Sequence, residues 1–149
     1  MQRRLLASYL EGHPTPRLPF ADVATGSLGQ GLSICNGVAL ASRLDRSPRR
    51  VYCVMGDGEQ QEGQVWEAVM SAAHFKLDNL CAIIDYNRKQ IDGDVEDVMG
   101  IAPLADKWRA FRWNVVEADG HDIPSLLDAF AQARGAKGRP SVVLAHTVM

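Results

Sequence analysis

A chain of 149 residues, 46% apolar, is long enough for one domain with a hydrophobic core. Its net charge of −2 leaves no basic excess for nucleic acid, and no apolar run approaches the roughly 18–20 residues of a membrane span. Three cysteines (Cys35, Cys53, Cys81), odd in number, widely spaced and without a C-x-x-C pair, read as buried free thiols of a reducing cytosol rather than a disulfide framework.

In chain order, Met1 to Leu10 carries Arg3 and Arg4 ahead of a short apolar stretch. Ser8 breaks that stretch and Glu11 ends it, so a turn of helix is expected rather than an export signal. Residues 12–25 form a loop containing Pro14, Pro16 and Pro19. A helix is expected from Leu28 to Leu44, entered through Gly26-Ser27-Leu28-Gly29-Gln30-Gly31, and residues 45–50 make a polar turn. Val51–Met55 and Leu80–Ile84 are apolar runs of strand length. Between them Val65, Trp66, Val69, Met70 and Ala73 recur as one helical stripe. Strand, helix and strand make a βαβ unit, whose right-handed crossover leaves the strands parallel. Residues 88–96 read as a polar loop around Gly93, Leu104–Phe111 as a short helix and Trp113–Ala118 as a third strand. Ile123–Ala133 follows as a helix with Pro124 tolerated in its first turn, then a loop over 135–140 and a fourth strand, Ser141–Ala145. There is no repeat and no low-complexity segment. The fold class is therefore α/β, a parallel Rossmann-like sheet with helices on both faces, in a single domain over 1–149. The chain stops at Met149 directly after the last strand and starts in what reads as the tail of a helix, so an incomplete domain is expected.

The most informative residues lie just past two strand ends. Gly56-Asp57-Gly58 closes the first run, and Asn87 follows the second, 30 positions after Asp57. Glycines let the backbone turn tightly beside a phosphate, Asp57 offers an anionic oxygen and Asn87 a neutral one. Mg²⁺ takes one or two such ligands and leaves the rest to phosphate and water. In a parallel sheet both residues fall on the carboxyl edge, where open α/β sheets bind ligands. Gly-Asp-Gly alone is also a common turn; the pairing with Asn87 turns it into a Mg²⁺–diphosphate site. The run Gly26 to Gly31 opens a helix whose N-terminus suits a diphosphate or an electron-rich ring, although a tight turn for helix packing uses the same residues. His13, in the preceding loop, is either solvated or a donor to a hydroxyl or developing oxyanion. Glu62 either matches the helix dipole or faces a partner chain near the cofactor. Glu59 reads as solvated or capping and His74 as structural; His121 and His146 lie near the same sheet edge with roles left open.

Three stretches resemble transketolase closely: Gly12-His-Pro-Thr-Pro16 leading to Asp22 and Gly26–Gly31; Gly56-Asp-Gly-Glu59 with Glu62-Gly63 and Trp66-Glu67-Ala68; and Lys76–Leu80 through Asp85-Tyr-Asn87 to Gln90–Gly93. Asp119-Gly120-His121 is a weaker fourth match. The resemblance, which covers the chain from about residue 11, implies transfer of a two-carbon ketol unit from a ketose phosphate to an aldose phosphate, with the carbon chemistry supplied by thiamine diphosphate. It implies Mg²⁺ (Ca²⁺ or Mn²⁺ as substitutes) on Asp57, Asn87 and the backbone oxygen of Lys89, with Gly56 and Gly58 close to the diphosphate. Gly26, Ser27 and Leu28 would line the cofactor, His13 would meet the substrate's hydroxyls, and Glu62 would lie in a carboxylate network at a dimer interface. The family also needs a pyrimidine-binding domain or subunit, absent here, so the chain alone is expected to be inactive, working in a homodimer or heterotetramer without nucleic acid or membrane. Other thiamine diphosphate enzymes (1-deoxyxylulose-5-phosphate synthase, dihydroxyacetone synthase), a non-catalytic binding remnant and an unstable fragment are the alternative readings.

Overall fold

The computed structural model of the protein describes residues 12–148; the helical turn expected over the first ten residues lies outside them. After the loop of residues 12–29 come α1 (Gln30–Leu44), β1 (Val51–Gly56), a 3-10 turn (Gly58–Gln61), α2 (Gly63–His74) and β2 (Leu80–Tyr86). A two-residue hairpin, β3 (Lys89–Gln90) and β4 (Gly93–Asp94), leads to α3 (Val95–Met99), α4 (Leu104–Ala110), β5 (Asn114–Asp119), α5 (Ile123–Gly135) and β6 (Ser141–His146).

The main sheet has the order β1-β2-β6-β5, with every pair parallel. Gly56 pairs with Asp85, Tyr86 with His146, and His146 with Asp119, so the carboxyl ends of all four strands finish on one edge. Strand alternation sends Val51, Cys53 and Met55 to one face, where they join Leu32 and Ala39 of α1, Val65, Ala68, Val69 and Ala72 of α2, and the tryptophans 108 and 113. The opposite face buries Cys81, Val116, Ala118 and Val143 against Ala129 and Ala133 of α5. Helices therefore cover both faces, as expected for a parallel sheet. No helix among the described residues is long and apolar enough to cross a membrane.

Element ends shift by one or two residues, and the structure departs from the sequence reading as follows. α1 begins at Gln30 rather than Leu28 because Gly29, at φ 84°, takes a left-handed conformation that a right-handed helix excludes. The buried stripe of α2 is rotated: Ala68 and Ala72 are inside, whereas Met70 is 51% exposed. The small alanines admit α1 closely, and buried Asn36 donates to the Ala68 carbonyl at 2.8 Å. Residues 88–96 are the β3–β4 hairpin and the start of α3, anchored by buried Val95. β5 starts one residue late because the Trp113 ring belongs to the core, edge-on to Trp108 at 4.6 Å with its indole N–H given to the Val69 carbonyl. α5 keeps Pro124 in its first turn and is capped by Asp122, whose carboxylate accepts from the Ser125 N–H.

Candidate functional site

Asp57 leaves the end of β1 and is buried, at 1% exposure. Its two oxygens accept from the backbone N–H groups of Gly58, at 2.7 Å, and Arg88, at 2.5 Å. The second bond crosses from the β1 edge to the peptide that joins Asn87 to Arg88, which brings Asp57 and Asn87 together across 30 residues of chain. The Asn87 side chain is itself oriented: its Oδ1 accepts from the Lys89 N–H at 2.8 Å and its Nδ2 donates to Asp85 at 3.1 Å. The Lys89 ammonium turns away to pair with Asp94, and Gly58 runs so close to Gln90 that a Cβ would stand 3.1 Å from its Cβ.

Burial pushes the Asp57 carboxyl above its ordinary value; the N–H groups of Arg88 and Gly58 pull the other way, and the charge of Asp85 adds to the rise. A carboxylate stripped of water and held only by neutral donors suits a cation. Among the described residues there is no cluster of three or more His, Cys, Asp or Glu that could cage a metal. A cation here must therefore draw its remaining ligands from backbone, phosphate and water, a demand that fits Mg²⁺ beside a diphosphate.

The glycine-rich turn packs against this centre. Gly26, at φ 110°, lies against the His13 ring, and a Cβ there would stand 2.7 Å from it. The Thr25 N–H donates to the Pro14 carbonyl at 3.2 Å and pins the two parts of the loop. Glu59 joins the turn to the Gly-Asp-Gly segment: its carboxylate accepts the Gly29 N–H at 2.7 Å through one oxygen and the Gly56 N–H at 3.2 Å through the other. Gln64 donates to the Leu28 carbonyl at 3.2 Å. Gly26, Ser27 and Leu28 line a cavity of about 280 Å³ with Cys35, Cys53 and Glu59. Glu62 is exposed at the start of α2, makes no capping bond, and sets its Cβ beside Gly29.

The sequence assigned Glu59 no role beyond solvation or capping. It caps, but it caps α1, not its own helix. No sign in the sequence pointed to it: Ser27 stands ready as a cap for a helix opening at Leu28, whereas the helix opens on Gly29, which has no side chain to cap it. His121 and His146 lie with Asn87 around a separate open cavity of about 660 Å³. Both are engaged there, His121 accepting the Val148 N–H at 2.9 Å and His146 pairing with Glu117 at 3.0 Å. His74 ends α2, edge-on to Phe75.

A family model described as the transketolase thiamine diphosphate binding domain matches residues 1–149. The chain belongs to the transketolase family. It is 48% identical over 127 residues to SqwG, part of a 6-deoxy-6-sulfo-D-fructose transketolase of Clostridium sp. (strain MSTE9), covering 85% of this chain and 46% of that one. It is 43% identical over 140 residues to one of the subunits of the apulose-4-phosphate transketolase of Phocaeicola vulgatus, covering 94% and 50%. A solved transketolase mutant from Pichia stipitis, in complex with xylulose-5-phosphate, superposes with a TM-score of 0.90 at 32% identity over 98% of this chain and 23% of that one. The chain thus spans about half the length of the two transketolase subunits and about a quarter of the solved enzyme. Its parallel four-stranded sheet flanked by helices matches the fold of the solved transketolase.

Proposed function

We propose that this chain supplies the diphosphate-binding half of a transketolase active site, which moves a two-carbon ketol unit from a ketose phosphate to an aldose phosphate. The observation that carries the reading is the bond from the Arg88 N–H to the buried Asp57 carboxylate, which sets that carboxylate against Asn87 on the carboxyl edge of the sheet. Asp57, Asn87 and the Lys89 carbonyl would hold Mg²⁺, and the backbone at Gly56 and Gly58 would take the diphosphate. Gly26, Ser27 and Leu28, which line the cavity of about 280 Å³, would hold the ring end of the cofactor. Bound thiamine diphosphate supplies the nucleophilic carbon and the electron sink for the ketol unit.

The protein's own part is to bind, orient and exclude water. Glu59 keeps the two glycine turns at a fixed separation, so the ring and phosphate ends of the site cannot drift apart. His13, held against Gly26, is placed to donate to a substrate hydroxyl. Glu62 faces outward, toward a partner chain. Val54 and Leu28, exposed at 72% and 55%, line the same cavity. Apolar surface of that kind suits a covering partner, which we assign to a pyrimidine-binding domain or subunit, in a homodimer or heterotetramer. Three free thiols fit a cytoplasmic setting.

Calorimetric titration of thiamine diphosphate, with Mg²⁺ and with chelator, tests the site. Metal-dependent binding that Asp57→Asn removes is the expected result. Folded protein that fails to bind even with a pyrimidine-binding partner present overturns it. Ketol transfer on adding that partner separates an enzyme from a binding remnant.

A further inference from the structure

Two of the three cysteines, 18 positions apart in sequence, meet in the fold. α1 crosses β1 so closely that a Cβ on Gly31 would stand 3.6 Å from the Cys53 Sγ. One turn further on the same helical face is Cys35, whose Sγ lies 4.0 Å from the carbonyl oxygen of Tyr52, the neighbour of Cys53. Both thiols line the cavity of about 280 Å³ under the glycine-rich turn. Cys81 lies across the sheet in the other core cluster, which contains no second cysteine.

The two sulfurs are unequal. Cys53 is 5% exposed, and the neighbouring Cys35 thiol, together with burial, pushes its own thiol up. The Cys53 thiol beside it pulls the Cys35 thiol down, against burial. Half-buried Cys35 is thus the more readily ionised of the two sulfurs. Cys81, with no thiol partner, is pushed up to about 11 by burial.

We propose that Cys35 and Cys53 are a redox pair that closes reversibly to a disulfide between α1 and β1. With hydrogen peroxide as oxidant, the Cys35 thiolate attacks one oxygen, the O–O bond breaks, and the hydroxide released takes a proton to become water, leaving Cys35 as sulfenic acid. The Cys53 sulfur then attacks the Cys35 sulfur. The S–O bond breaks, and the departing hydroxide leaves with the Cys53 proton as a second water. Two thiols lose two electrons and peroxide gains them. A thiol reductant restores the pair by exchange. The bond ties the helix behind the glycine-rich turn to the strand that carries Asp57.

The test is a peptide map of the purified chain after mild peroxide treatment, alkylation of the remaining thiols under denaturing conditions and digestion with trypsin without reductant. Cys35, Cys53 and Cys81 fall in separate tryptic peptides, 18–43, 51–76 and 77–88. The expected product, in the monomer band, is 18–43 linked to 51–76, released by reductant, with Cys81 alkylated. Cys81→Ser keeps the link, and Cys35→Ser loses it. The wild-type map decides the matter even if Cys53→Ser does not fold. Overturning results are Cys35 and Cys53 both alkylated, sulfinic acids without a cross-link, or a link through Cys81.

Discussion

Removing the Glu59 carboxylate tests whether it joins the two glycine turns. In Glu59→Ala the Gly29 N–H loses a 2.7 Å acceptor, and the Gly56 N–H a 3.2 Å one. Gly29 is buried, so its N–H is left unsatisfied; a hydrogen bond to a charged group is worth about 1.5–3 kcal/mol. The Gly56 bond is longer and exposed, so water replaces much of it, and about 0.5 kcal/mol is a fair allowance. The expected loss is about 2–3.5 kcal/mol, which for a chain of this size lowers the unfolding midpoint by roughly 5–12 °C. Glu59→Gln keeps one acceptor and sets an amide N–H against a backbone N–H, so it falls between Ala and wild type. Urea unfolding with an unchanged slope, together with the thermal midpoint, reads the effect. Glu62→Ala is the control: that side chain is exposed and caps nothing, so its effect stays within about 0.5 kcal/mol. A Glu59→Ala chain as stable as wild type, or a Glu62→Ala chain that falls as far, refutes the bridge.

Asp57 carries a pH signature. Its folded value is raised, so folding favours the protonated carboxyl; the stability this gives is full below the ordinary value of 3.8 and is lost as pH climbs through the folded value. Measured without cofactor, wild type therefore gains on Asp57→Asn as pH falls from neutral toward 3.8, and a flat difference removes the argument. Adding Mg²⁺ with thiamine diphosphate at neutral pH raises the thermal midpoint of wild type and leaves that of Asp57→Asn unmoved; equal rises in both take Asp57 out of the site. Gly26→Ala puts a side chain at φ 110° and 2.7 Å from the His13 ring; about 1–2 kcal/mol of backbone strain follows, and the ring is displaced, seen as a shifted His13 resonance by NMR. In enzyme reconstituted with a pyrimidine-binding partner, His13→Ala lowers turnover or donor affinity more than cofactor affinity; an equal loss of cofactor binding counts against a substrate role.

The elements that were legible in the sequence owe it to local pattern. β1 and β2 are short apolar runs bounded by polar turns, and their parallel pairing follows from the helix between them. The phase of α2 differs from its hydrophobic pattern because the large residues Trp66 and Met70 outweigh Ala68 and Ala72 in that pattern, while packing against α1 selects the small ones. The hairpin at 89–94 has two-residue strands, below the length at which alternation can register. Asp57 and Asn87 were legible as a pair because each follows a strand by one to three residues, and a parallel register carries both to the same edge.

Glu59 and the Cys35–Cys53 pair were not legible, for one shared reason. Each contact is made where α1 lies on β1, and the position of a helix along a strand is set by the packing of Leu32 and Ala39 into the core, not by any local signal. Slide α1 by one turn, about 5.4 Å, and Glu59 misses Gly29 while Cys35 no longer faces Cys53. That shared register has a measurable consequence. Substitutions that disturb α1 packing, such as Leu32→Ala, should loosen the Glu59 bridge and the thiol pair together, whereas Glu59→Ala, which acts only at the helix start, should leave Cys35–Cys53 cross-linking intact. Loss of cross-linking in Glu59→Ala would mean that the carboxylate, rather than the core, sets where α1 sits.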